Sequence, residues 1–182
     1  NFGMVCGIYG FGMWLPSILT SISGDNIFKV SLLALIPYGL AALLIYPWSL
    51  LASKTKKLAI FSGISMIVGA IGLVGAMVFF KYNLFVSLSF LCVASIGIYT
   101  AVPSFISMPA NLSNGAAAAA GLAVVNCIGN IGGFVAPYTV GVLTDLTHSS
   151  ASGLLFMASC LLITGLTCIF YCARQREGVI NS

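Results

Sequence analysis

The sequence predicts an all-α integral membrane protein of six transmembrane helices. Three observations lead there. Hydrophobic residues make up 60% of the chain and charged residues only 5%, whereas a soluble domain carries roughly 25% charged residues. Mean hydropathy is +1.12, far too apolar for a disordered chain. Short polar breaks then divide the 182 residues into six runs of the roughly 20–25 residues that a bilayer crossing needs.

The first span is expected over residues 2–22 and ends at the polar turn Ser23-Gly24-Asp25-Asn26. The second, 28–52, runs into Ser53-Lys54-Thr55-Lys56-Lys57, and the third covers 58–80 before Lys81-Tyr82-Asn83. The fourth, 84–108, stops near Pro109-Ala110-Asn111. The fifth takes 115–143 and the sixth 151–173, ahead of the tail Arg174-Gln175-Arg176-Glu177. Spans this apolar must be helices, because hydrocarbon offers no partner to a free backbone group and no segment alternates as a barrel strand does. Together they form one unit over residues 1–182, with no room for a separate extramembrane domain. Asn1 already lies in an apolar run with no basic region or cleavage site before it. No signal peptide is therefore expected, and the sequence reads as a piece of a longer one.

Basic residues give the orientation. Lys54, Lys56 and Lys57 follow the second span and Arg174 and Arg176 follow the sixth, so six crossings put five of the seven basic residues on one side. Five or seven crossings would separate the two clusters. The positive-inside rule makes loop 53–57 and the C-terminus cytoplasmic, in a plasma or inner membrane rather than an organelle. The net charge of +4 reports this orientation; it is too small and scattered for nucleic-acid binding.

Several features exclude other functions. Cys6, Cys92, Cys127, Cys160, Cys168 and Cys172 all lie in apolar runs, where cysteine serves as a small buried side chain. No His or acid accompanies them, so neither a metal site nor a cofactor is expected. No Ser/His/Asp set, HExxH or carboxylate pair is present, so catalytic residues are not expected and the chain is not read as an enzyme. A charged or carbonyl filter for a channel is also missing. Six prolines lie in or beside the spans, suggesting bent, cavity-forming helices. In the third span Ser62, Ser65, Gly69, Gly72 and Ala76 make a small-residue stripe for close helix packing.

The fifth span is the most informative. At about 100° per residue, Ala119, Asn126, Asn130, Gly133 and Pro137 fall within a narrow arc. Two amides one turn apart in mid-membrane must face a helix, a cavity or each other. They either hydrogen-bond a polar solute or join helices, at about 0.6 kcal/mol per bond. Spacing alone leaves both open.

The run GAAAAAGLAVVNCIGNIGGFVAPYTVG, residues 115 to 141, resembles the eleventh helix of major facilitator transporters, specifically of the anion:cation symporter family. Pro103-Ser104-Phe105, Met108-Pro109, Gly115 and Gly121 keep that family's spacing through its tenth helix, and YGFGMWLPSI, residues 9 to 18, is similar to its seventh. Asp145-Leu146-Thr147 and Ser149 resemble the family's Asp-x-Thr-Gly-Ser. All six spans then fit the C-terminal half, helices seven to twelve, of a twelve-helix fold. The sequence departs at His148, where the family has Gly, at Ile106, where a Trp is common, and at Ser53-Lys54-Thr55, which lacks the family's Asp.

The resemblance implies a secondary transporter of a small organic anion of carboxylate type, coupled to a proton or sodium ion and working by alternating access. Asn126 would face the cavity, with Asn130, Tyr9, Trp14, Tyr99, Ser104 and Ser107 as further substrate-binding candidates, and Gly129, Gly132 and Gly133 would pack helices. No span carries an ionisable residue near its centre. Charge and coupling would therefore come from a missing N-terminal six-helix half, with the substrate site between the halves. The alternative is a truncated membrane protein that no longer transports and acts as an interaction or assembly partner. The loop that lacks its Asp motivates that reading.

Overall fold

The computed structural model describes residues 1–23, 27–79, 84–110 and 116–180. These form six helices: α1 (Phe2–Ser23), α2 (Ile27–Thr55), α3 (Leu58–Phe79), α4 (Leu84–Ala110), α5 (Ala116–Thr147) and α6 (Ser150–Ile180). Five of them, α2 to α6, contain stretches long and apolar enough to cross a membrane among the described residues. The first expected span, 2–22, falls on α1, which is not among these five. The fifth and sixth helices run about one turn or more past their expected ends at 143 and 173. Positions 24–26 and 81–83, where two turns are expected, lie outside the described residues, as do the side chains of Pro109, Arg174 and Arg176.

The helices alternate in direction. Gly63 meets Gly165, Ser62 meets Ala101 and Val140 meets Gly153, each pair from oppositely running helices. By contrast, contacts of α1 with α5 advance together, from Asn1 and Gly129 through Tyr9 and Gly133 to Trp14 and Gly141, so these two run parallel. The lysine loop at 56–57 and the C-terminal end of α6 consequently sit at the same end of the bundle.

The centre is built on α3. Its small-residue stripe lets α4 approach until backbone meets backbone: a Cβ added at Gly97 would lie 2.2 Å from the Gly69 nitrogen, and one at Gly72 would lie 2.4 Å from the Ala94 nitrogen. Serines on this seam bond across it. Ser62 Oγ donates to the Ala101 carbonyl at 3.3 Å, and Thr100 Oγ1 donates to Ser65 Oγ at 3.2 Å. On the other side of α3, a Cβ at Gly63 would sit 2.7 Å from the Gly165 carbonyl oxygen of α6. Lipid tails are as apolar as leucine, so this close dispersion contact, rather than expulsion of water, holds the three helices together. Phe11, Leu15 and Leu19, spaced one turn apart along α1, complete the core against Met157 and Leu161 of α6.

Two helices are left largely uncovered. In the apolar stretches of α2 and α5 only 17% of residues are buried, against 44% in α3 and 50% in α4. Phe134 and Tyr138 stack on the outer surface of α5, 5.9 Å between ring centres. The bundle thus has a packed side, α3–α4–α6, and an open side carried by α2 and α5.

Candidate polar face on α1 and α5, with a tyrosine pair behind it

The α1–α5 seam is closed by glycines. A Cβ at Gly129 would strike the Asn1 amide nitrogen at 2.1 Å, and one at Gly132 would strike the Phe2 carbonyl oxygen at 2.6 Å. Cys6 donates its thiol proton to the Gly132 carbonyl at 3.5 Å. Gly133 takes the edge of the Tyr9 ring, with 3.2 Å from its Cβ position to the ring carbon. The three glycines expected to pack helices all lie against α1.

Beside this seam the two amides remain open. Asn126 and Asn130 are both exposed. The Asn1 amide nitrogen donates to the Val125 carbonyl at 2.9 Å and to the Asn126 side-chain oxygen at 3.2 Å. This uses one acceptor lone pair of Asn126, an exposed residue whose NH2 carries two further donors. Tyr9, 49% exposed, lies over Gly133 on the same arc, so Tyr9, Asn126 and Asn130 share one face. Trp14 is half-buried and lies 3.7 Å from the Cβ position of Gly141, at the far end of the seam.

A second cluster lies where α1, α2 and α4 meet. Tyr99 is half-buried and meets Tyr38 edge to face, with 5.8 Å between ring centres; Tyr38 in turn meets Phe11 at 6.1 Å. Both tyrosine hydroxyls lie 3.8 Å from the Cβ position of Gly12. The two hydroxyls thus come together beside Gly12, at ordinary van der Waals distance from a Cβ added there. Tyr38 is not among the residues singled out from sequence, although a Pro37-Tyr38-Gly39 break in an otherwise aliphatic span was a usable signal.

Ser104 and Ser107 do not join either cluster. Ser104 is 1% exposed and its hydroxyl has no hydrogen-bond partner among the described residues. Ser107 is exposed and donates back to the Pro103 carbonyl of its own helix at 2.8 Å.

The arrangement offers neutral donors and acceptors: two amides, a tyrosine on the open face and a tyrosine pair behind it. Such groups can hydrogen-bond a polar solute. Among the described residues no three His, Cys, Asp or Glu side chains converge on a possible metal position, and the six cysteines are free thiols.

No family model matches the chain, and no solved structure does either. Curated relatives do. The chain is 33% identical over 175 residues to a quinolone resistance transporter of Acinetobacter baumannii, covering 93% of this chain and 39% of that protein. It is 33% identical over 165 residues to a putative tartrate transporter of Agrobacterium vitis, covering 91% and 37%. A third relative is the putative metabolite transport protein NicT of Pseudomonas putida, 32% identical over 166 residues, covering 90% and 37%. The chain therefore spans less than two-fifths of the length of these relatives.

Proposed function

We propose that residues 1–182 form the C-terminal, six-helix half of a secondary transporter of the major facilitator type; similarity to bacterial transporters over about nine-tenths of this chain, and less than two-fifths of their length, supports the reading. The substrate is a small organic anion of carboxylate type, as expected of the anion:cation symporter family. The naming of two relatives as putative tartrate transporters supports that substrate class. A further relative is named an inner membrane transport protein in Escherichia coli; this favours the inner membrane, with the lysine loop and the C-terminus cytoplasmic.

One observation carries the reading: the amides of Asn126 and Asn130, with Tyr9 over Gly133, lie on the helix pair that includes the sparsely covered α5. Exposed amides are costly in hydrocarbon. Packing the open sides of α2 and α5 against a complementary half would convert that face into the wall of a central cavity. The amides then orient the solute, and Tyr38 and Tyr99 act from behind the wall. Charge for the anion and the site for a coupling proton or sodium ion come from the other half. Alternating access follows from rocking the two halves about the enclosed site.

Uptake of radiolabelled tartrate in cells expressing the Asn126→Ala protein tests this. Uptake should fall several-fold while the amount of protein in the membrane is unchanged. Unaltered uptake removes Asn126 from the site, and labelling of an Asn126→Cys variant by lipid-soluble but not water-soluble reagents removes the cavity.

A further inference from the structure

Between α2, α3 and α4 lies an open groove of about 450 Å³. Leu44, Pro47, Trp48 and Leu51 form one wall and Ile64 and Val68 the other. The hydroxyls in it are spent: Thr100 and Ser65 bond to each other and to the Ile96 and Phe61 carbonyls of their own helices at 2.7 and 2.8 Å. The Trp48 ring is packed on Phe61, 5.0 Å between centres, and its buried N–H has no hydrogen-bond partner among the described residues. Apart from that one N–H the lining is apolar and suits hydrocarbon.

The mouth is different. Leu44, Pro47 and Leu51 follow one another along α2 at steps of three and four residues, and the next position on that stripe is Lys54. It lies roughly 10 Å beyond Pro47 along the helix axis. On α3 the stripe Val68, Ile64 and Phe61 leads back to Lys57, whose carbonyl accepts the first helical bond from the Phe61 N–H at 3.1 Å. Lys56 stands between them in the connecting turn, and all three lysines are exposed. Each apolar wall thus ends in a cation. Asp145, the acidic residue on the described helices whose side chain is described, lies near the C-terminal end of α5 and so at the other end of the bundle.

We propose that this groove binds one acyl chain of an anionic phospholipid, whose phosphate is held by Lys54, Lys56 and Lys57. Any groove on a membrane protein meets lipid tails; here cations end both walls and select for an acidic headgroup. The charge complementarity argues against a zwitterionic lipid, and the apolar lining argues against a polar ligand. The inference rests on the chain lying in a bilayer, and not on what it transports.

Trp48 reports occupancy directly. In the full-length protein with every other tryptophan, Trp14 included, replaced by Phe, Trp48 fluorescence in vesicles measures how often a brominated acyl chain enters the groove. Phosphatidylcholine vesicles are doped with increasing dibrominated phosphatidylglycerol, or with dibrominated phosphatidylcholine. Half-maximal quenching should need at least several-fold less phosphatidylglycerol than phosphatidylcholine. Each lysine replaced by Gln should erode the preference by about fivefold at most, and K54Q/K56Q/K57Q should abolish it. K54R/K56R/K57R should keep it, which separates lost charge from lost folding. Raising ionic strength from about 0.05 to about 0.5 M should narrow the gap. Equal quenching by the two lipids, a preference that survives the triple Gln variant, or no quenching by either overturns the proposal.

Discussion

Tyr38 of α2 and Tyr99 of α4 meet edge to face at 63°, with both hydroxyls gathered over Gly12 of α1. One pair of side chains thereby ties together three helices of the bundle. Two polar hydrogens are brought to one place inside an apolar seam, where each is worth more than in water and each needs a partner.

Removing one hydroxyl should affect transport more than folding. Tyr99→Phe keeps the ring contact and deletes one donor, a loss of about 0.5–1.5 kcal/mol or roughly three- to tenfold. On the proposed function, the full-length protein should show a raised KM for the proposed anion with the same amount of protein in the membrane. Equal kinetic constants for Tyr99→Phe and the parent would make the pair purely structural.

Glycines at the helix seams should divide sharply by position. Gly97→Ala places a methyl 2.2 Å from the Gly69 backbone nitrogen, and backbone cannot step aside as a side chain can. Overpacking of this kind costs about 1–3 kcal/mol, so the detergent-solubilised protein should unfold at a visibly lower temperature. Gly39→Ala meets nothing within 4 Å and should gain about 0.5–1 kcal/mol from reduced backbone freedom. Thermal unfolding of the two variants side by side checks both signs.

His148 ends α5 in the left-handed region, at φ 49°, and Lys56 does the same after α2 at φ 53°. Glycine adopts this helix-terminating conformation without strain. His148→Gly should therefore stabilise by about 0.5 kcal/mol after the cost of a looser unfolded chain, seen as a small rise in unfolding temperature. His148→Val, with a branched side chain, should lower it.

Ser104 carries a buried hydroxyl with no partner among the described residues. Replacing it with Ala removes an unsatisfied polar group and should stabilise by about 1 kcal/mol. If the same variant also loses uptake, the hydroxyl is kept for the solute. Ser62→Ala, which breaks a 3.3 Å bond to the Ala101 carbonyl, should do the reverse and destabilise.

Much of this was legible in the residues because the bilayer reads sequence severely. Helix positions followed from polar breaks, since a charged residue and a lipid-facing one cannot exchange places. The stripe Ser62, Ser65, Gly69, Gly72 and Ala76 announced the α3 seam because only small side chains allow such an approach. The amide arc on α5 was visible from its period. Tyr38 was not singled out, because its role depends on Gly12 and Tyr99 from two other helices, 26 positions before and 61 positions after it. The burial of Ser104 and the exposure of Ser107, three residues apart on one helix, likewise needed the packing of neighbours to tell them apart.

The contact between Gly69 and Gly97 sets a limit on how this bundle deforms. With peptide planes touching, α3 and α4 have no layer of side chains to shear across, so they travel as a single stiff spar. Bending is left to the prolines away from that contact: Pro16 of α1, the two prolines of α2, Pro137 of α5 and, beyond the seam on α4, Pro103. Pulse-EPR distances between spin labels on α3 and α4 should accordingly stay sharp in every conformation, while those from either to α5 broaden.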